Sequence, residues 1–145
     1  REDEFLTEDG RVESVRSRLT LIGEAKETID NVNQNVMVSR SRYLAPAGQS
    51  LRFYNEYFKP ASVHEIEKNR LRYLIRFRGT EFFINLDRII KPALGNFVEA
   101  KSRTWSRQDA RIKTTLIEDL LSYLRLQPSK AVTDDYIHMV TKSGF

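Results

Sequence analysis

Residues 70–104, RLRYLIRFRGTEFFINLDRIIKPALGNFVEAKSRT, decide how this chain is read. Aromatic and β-branched residues crowd 70–78 and 81–89, which favours strand over helix. Gly79-Thr80 lies between them as a turn, so the two strands predict a hairpin. Lys91-Pro92-Ala93-Leu94-Gly95 then breaks the pattern, and 96–104 predicts another strand. Side chains alternate across a strand, so Phe97, Glu99, Lys101 and Arg103 share one face, with Asn96, Val98, Ala100 and Ser102 on the other. Asp87 is opposite in parity to Phe82 and Leu86; it either faces the charged side or closes its strand as a turn residue.

Cations at every second position recur along the chain. Arg16 and Arg18 stand in VRSRLTLI, Arg40 and Arg42 in MVSRSRYL, Arg76 and Arg78 in YLIRFRG, and Lys101 and Arg103 in FVEAKSR. Arg72 has the parity of Arg76 and Arg78. Rows of like charge on neighbouring strands repel unless an anion sits among them. Arginine suits such a role, because its planar fork matches phosphate and keeps its charge at any working pH. The bland alternative for each pair is a solvated strand face. The pattern as a set predicts a basic sheet face that binds phosphates.

Outward from this centre, residues 12–22 fit either a helix stripe of Val15, Leu19 and Ile22 or the alternation of a strand, and their β-branched content favours the strand. A polar connection over 23–34 follows, including a helical turn around 25–29. Residues 36–44 predict a strand, Pro46-Ala47-Gly48-Gln49 a hairpin turn, and 51–58 the partner strand, on which Arg52 and Glu56 share a face. Downstream, Ser106 with Asp109 three residues later marks a helix start. Ile112, Leu116, Leu120 and Leu124 then space a helix over 107–125. A short helix over 134–141 turns Tyr136, Ile137 and Val140 to the core, and Trp105 reads as core or as a staple at the long helix. Strands first and helices last predict an antiparallel α+β architecture.

The chain has 145 residues, 24 Lys+Arg, 20 Asp+Glu and a net charge of +4. Residues 1–10 hold one Arg against five acids and read as a flexible acidic lead-in, leaving +8 on residues 11–145, which read as one domain. A basic domain favours anionic partners such as nucleotides, polyphosphate, RNA or acidic lipid. There are no cysteines, so disulfides and thiolate metal sites are excluded. No apolar run reaches the roughly 18–20 residues of a membrane span, so a soluble, cytoplasmic protein without a membrane partner is the default expectation. The start at Arg1, with no initiator Met, suggests a processed product or an excised piece of a longer chain.

Glu99 two residues from Lys101 makes the candidate catalytic pair. Glu99 is placed to hold Mg²⁺ or Mn²⁺ through oxygen while Lys101 and Arg103 meet phosphate oxygens. Glu56 and Asp87 are the further candidate metal ligands. The competing reading of this strand is salt bridging on an exposed face. His64 and His138 have no zinc spacing, and GxxxxGK[ST], GxGxxG and GxSxG are all absent.

In order, these features resemble the CYTH family, the triphosphate tunnel enzymes. The likeness rests on SRSRYLAPAGQSLRFYNEYFK at 39–59, LRYLIRFRGTEFFINLDRIIKPALGNFVEAKSRTWS at 71–106 and DDYIHMV at 134–140. The closing helices are similar to those of versions fused behind a uridine-kinase-like domain. The resemblance implies an antiparallel β-barrel or tunnel followed by C-terminal helices, whose interior cations bind a triphosphate while acids hold a divalent metal. By position, Arg40 and Arg42 match its RxR pair, Arg76 and Arg78 its later basic strand, and Glu99 its late acid. Lys101 stands where the family often has a second acid, and the opening ExExK strand is absent; Glu65-Ile66-Glu67 imitates it only in mid-chain.

Three functions follow. The first is binding of inorganic triphosphate or a nucleoside triphosphate in a basic tunnel, with metal-dependent hydrolysis. The second is a non-catalytic nucleotide- or polyphosphate-sensing module that serves a fused or associated catalytic domain. The third, ranked last, is RNA binding with Tyr43, Phe53, Tyr54, Phe77 and Phe83 near the cations.

Overall fold

The computed structural model describes residues 1–27, 38–132 and 134–142, with side chains described outside 21–44 and 128. The chain divides into two compact units, one of Arg1–Lys26 with Ser39–Val63 and one of His64–Phe145 with Glu27–Val38. Together they hold two antiparallel three-stranded sheets and three helices, so the architecture is α+β. Among the described residues neither sheet closes into a barrel. No described helix is long and apolar enough to cross a membrane.

The first unit contains β1 (Glu2–Leu6), β2 (Val12–Glu27), β3 (Val38–Pro46) and α1 (Leu51–Phe58), with sheet order β1-β2-β3. The acidic lead-in is therefore corrected: Glu2–Leu6 is a strand, paired in register with β2 at Glu2↔Ser17, Asp3↔Arg16 and Glu4↔Val15. Charge complementarity explains it. Asp3 accepts from Arg18 at 2.8 Å and from Arg1 Nε at 2.6 Å, which ties the acidic segment to the basic strand. The helical turn expected around 25–29 is strand through Glu27, and its remainder lies outside the described residues.

The strand expected at 51–58 is α1 instead. Two local signals outweigh its aromatic content. The Ser50 side chain caps the helix by accepting from the Phe53 amide, and Arg52 pairs with Glu56 at 2.9 Å, one helical turn apart. The aromatics serve the helix as well, because Phe53 stacks on Tyr57 and Tyr54 on Phe58 at the same four-residue spacing.

The second unit contains β4 (Glu67–Phe77), β5 (Thr80–Lys91), β6 (Gly95–Lys101), α2 (Arg107–Tyr123) and α3 (Tyr136–Lys142), with sheet order β4-β5-β6. The expected hairpin is present, but its two-residue turn is Arg78-Gly79, with φ of 47° and 78°. Both angles are left-handed, as a type I′ turn demands, and glycine supplies one of them without strain. Arg78 is thus corrected from a strand position to a turn position. β6 ends at Lys101, where Ser102 Oγ donates to the Glu81 carbonyl, so Arg103 lies past the strand.

The apolar face of this sheet carries α2. Phe82, Ile84 and Leu120 form the buried cluster, with Ile75, Phe77, Ala100, Leu116 and Ile117 packed against it. Ser106 caps α2 as expected, accepting from the Asp109 amide at 3.1 Å. The four-residue apolar row is only half right. Each step of four overshoots a turn by about 40°, so Ile112, 56% exposed, swings away from the sheet that Leu116 and Leu120 face. Leu124 lies just past α2, 42% exposed, and lines a groove with Ile75, Ile84 and Leu86 of the sheet. Trp105 is 82% exposed, which corrects its reading as core. On α3 Val140 is buried as expected, whereas Ile137 is exposed and half-buried Tyr136 turns to a carboxylate.

Candidate functional site

The opposite face of the second sheet is polar. Register places Arg70 beside Asp87, Arg72 beside Asn85, Asn85 beside Glu99, and Phe83 beside Lys101. Because β4 and β6 flank β5, its central Asn85 and Asp87 lie between two rows of charged residues. They are 0% and 1% exposed, and burial of that degree requires partners.

Asp87 receives four hydrogen bonds. Arg70 donates to both carboxylate oxygens, Nε at 2.6 Å and Nη2 at 2.5 Å; Lys68 Nζ donates at 3.0 Å and the Tyr136 hydroxyl at 2.8 Å. The bidentate arginine fixes the guanidinium plane as well as the charge. Tyr136 comes from α3, its ring 5.3 Å from that of Phe97 and 4.7 Å from the Lys68 ammonium. Burial alone would raise the Asp87 carboxyl, but the bonds from Arg70, Lys68 and Tyr136 outweigh it and hold the group well below the usual carboxylate range. Burial and the neighbouring Asp87 push the Tyr136 phenol up, so it remains a donor.

Glu99 continues the network. It accepts from Asn85 at 2.8 Å, from Arg70 at 3.1 Å and from Lys101 at 2.7 Å. Burial again acts to raise its carboxyl, and Lys101, Asn85 and Arg70 together bring it below the ordinary value. Asn85 faces both ways: its amide nitrogen serves Glu99 while its oxygen accepts from Arg72 Nε at 2.9 Å. The Arg72 guanidinium lies 5.8 Å from the Phe83 ring centroid. The network thus joins four cations, Lys68, Arg70, Arg72 and Lys101, to Asp87, Glu99 and Asn85. α3 covers the Lys68–Arg70 end, whereas Arg72 and Lys101 are exposed on either side of Phe83.

The expected site residues divide between the units. Glu99, Lys101 and Asp87 belong to one network, linked through Arg70 and Asn85. Asp87 faces the charged side and does not close its strand as a turn residue. Arg76 shares its strand face but is exposed and pairs with Glu81 at 3.3 Å. Arg78 reaches from its turn to Asp119 of α2, and Arg103 lies beyond β6. In the first unit, Arg16 and Arg18 face Asp3; burial acts to raise its carboxyl, but hydrogen bonds and attraction from Arg18 and Arg1 bring its pKa down to about 2. Glu56 is on α1 and pairs with Arg52. Arg40 and Arg42 lie on the described backbone of β3, with side chains outside the described residues.

Sequence reasoning missed Lys68, Arg70, Asn85 and Tyr136. The period of two was the available signal: Lys68 and Arg70 precede Arg72 and Arg76 at the same parity, on a strand that begins three residues earlier than expected. Tyr136 is 49 residues from Asp87 and carries no local signal.

The donor sets do not suit the divalent metal that the tunnel-enzyme resemblance implies. A carboxylate offers about four acceptor positions. Asp87 accepts four bonds, three on Oδ2 and one on Oδ1, with three of the four coming from cations, and Glu99 accepts three donors. Among the described residues, no group of three or more His, Cys, Asp or Glu converges as a metal site. No family model matches this chain, and none of the curated proteins or solved structures matches it.

Proposed function

We propose that the polar face of β4–β6 binds the phosphate chain of a triphosphate-containing ligand, inorganic triphosphate or a nucleoside triphosphate. The observation that carries this reading is the set of cations fixed along β4 by a buried carboxylate and a buried amide, Arg70 through Asp87 and Arg72 through Asn85. Alternate residues of a strand lie about 6.6–6.8 Å apart, so these cations address successive parts of an extended anion. Orienting them before the ligand arrives removes part of the ordering entropy from binding. Lys101, across the sheet from Arg72, completes the anion contact at the exposed end.

A sensing module is favoured over a hydrolase within this reading, because Asp87, Glu99 and Glu81 already serve as counter-ions. The wider arrangement belongs to the same proposal: a tunnel closed around this face, a fused or associated catalytic domain that it informs, and a cytoplasmic setting. RNA binding has less support. Phe53 and Tyr54 stack within α1, Phe77 packs toward Tyr123, and Phe83 is placed beneath a cation of this face, while the Tyr43 side chain lies outside the described residues.

Calorimetric titration with inorganic triphosphate tests the proposal. Arg72→Ala and Lys101→Ala should each weaken binding about tenfold, since a hydrogen bond to a charged group is worth about 1.5–3 kcal/mol. Unchanged affinity in both variants would remove the face from consideration. A steep loss with added salt and no preference for triphosphate over an RNA oligonucleotide would favour the nucleic-acid reading.

A further inference from the structure

We infer that this face takes its phosphate chain free of metal, with Asp87 and Glu99 acting as positioning residues for the cations. The inference rests on the phosphate-binding reading above and specifies the chemical form of the ligand.

The argument is one of competition for lone pairs. Asp87 Oδ2 alone accepts from Lys68, Arg70 and Tyr136, while Oδ1 accepts Arg70 Nε. A magnesium ion demands near-ideal octahedral oxygen geometry and dehydrates reluctantly. To reach Asp87 it would have to displace an ammonium or a guanidinium that is itself mostly buried, the Lys68 and Arg70 side chains being 22% and 13% exposed. The displaced cation would then stay within a few ångströms of the metal, like charge against like. Glu99 has Arg70 and Asn85 on Oε2 and the more exposed Lys101 on Oε1, so a metal there would have to compete with two cations already paired to it.

The charge balance points the same way. The four cations of this network, Lys68, Arg70, Arg72 and Lys101, favour the ligand that carries its full negative charge. A magnesium-complexed triphosphate presents two fewer negative charges and a hydrated cation that the face has no free carboxylate to receive. The function of the two acids is geometric: Asp87 sets the Arg70 fork, and Glu99 holds Lys101 and Asn85, through which Arg72 is steadied.

Titration of the whole chain with inorganic triphosphate, in EDTA and again in excess magnesium, decides the matter. Binding in EDTA should equal or exceed binding in magnesium, with an expected loss of about tenfold on adding the metal, equivalent to about 1.4 kcal/mol. Glu99→Gln weakens the hold on Lys101 and Arg70, so it should lower affinity for the metal-free ligand several-fold, and by the same factor in EDTA and in magnesium. The Arg72→Ala variant should lose affinity in EDTA, which ties the signal to this face. Binding that requires magnesium or manganese and is lost in Glu99→Gln would overturn the inference while leaving the phosphate-binding reading in place. No binding under either condition would overturn that reading and this inference with it. The comparison in the parent protein stands even if the Glu99 variant fails to fold.

Discussion

Asp87→Ala should lower the stability of the β4–β6 unit by about 3–5 kcal/mol, the range for removing one member of a buried ion pair. The loss comes from what is left behind. Arg70 loses both bonds of its bidentate contact, Lys68 loses its only carboxylate hydrogen bond among those described, and the Tyr136 hydroxyl loses its acceptor. Two cations with side chains 22% and 13% exposed then face each other with only Glu99, 3.1 Å from Arg70, as a counter-ion. Urea unfolding at pH 7 measures the change, and total stabilities of about 5–15 kcal/mol make it a large fraction of the whole. The pH dependence identifies its origin. The folded Asp87 carboxyl lies below its unfolded value of about 3.9, so its contribution is complete above that pH and is lost as pH falls toward the folded pKa. Parent and Asp87→Ala stabilities should therefore differ most at neutral pH and converge in acid. A difference that stayed constant down to pH 2 would mean that Asp87 acts through packing rather than charge.

The parts of this molecule that could be read from sequence are those in which the local signal and the tertiary demand coincide. The β4–β5 hairpin is one: its turn chemistry, aromatic content and alternation agree, and the adjustments are a turn centred on Arg78-Gly79 and an earlier start of β4 at Glu67. The cap of α2 at Ser106 is another, since a cap is made by residues three apart. Where signals conflicted, the local rule with a specific partner prevailed. Aromatic residues at 51–58 suggested strand, but the Ser50 cap and the Arg52–Glu56 pair act only on a helix. β1 was overlooked because its acidity resembles a solvated tail until β2 supplies the arginines that Asp3 faces. The candidate site was legible by parity, since Asp87, Glu99 and Lys101 stand on the charged face. Its meaning was not. An alternating pattern identifies which side a charge points to, but it does not give the number of donors that converge there. That number is what distinguishes a counter-ion from an available metal ligand.

Phe82→Ala is the second change with a large expected effect, and it separates the two faces of one strand. Phe82 is fully buried between the sheet and α2, against Ile84 and Leu120, so its truncation should cost about 3–5 kcal/mol through lost transfer energy and the cavity left behind. The magnitude matches that of Asp87→Ala, yet the origins differ. No titratable group changes its partners when Phe82 is truncated, so the stability difference should be the same at pH 7 and pH 3. Affinity for inorganic triphosphate, measured where the variant remains folded, should also be unchanged, because Phe82 and Asn85 have opposite parity on β5. Five residues separate Phe82 from Asp87, roughly 17 Å along an extended strand, beyond the distance at which substitutions usually couple. Milder replacements test that independence within the available stability. Phe82→Leu and Asp87→Asn should combine additively to within about 0.5 kcal/mol. A larger coupling would mean that the apolar packing under β5 helps to set the geometry of the cation row above it, making the core beneath α2 a determinant of anion affinity.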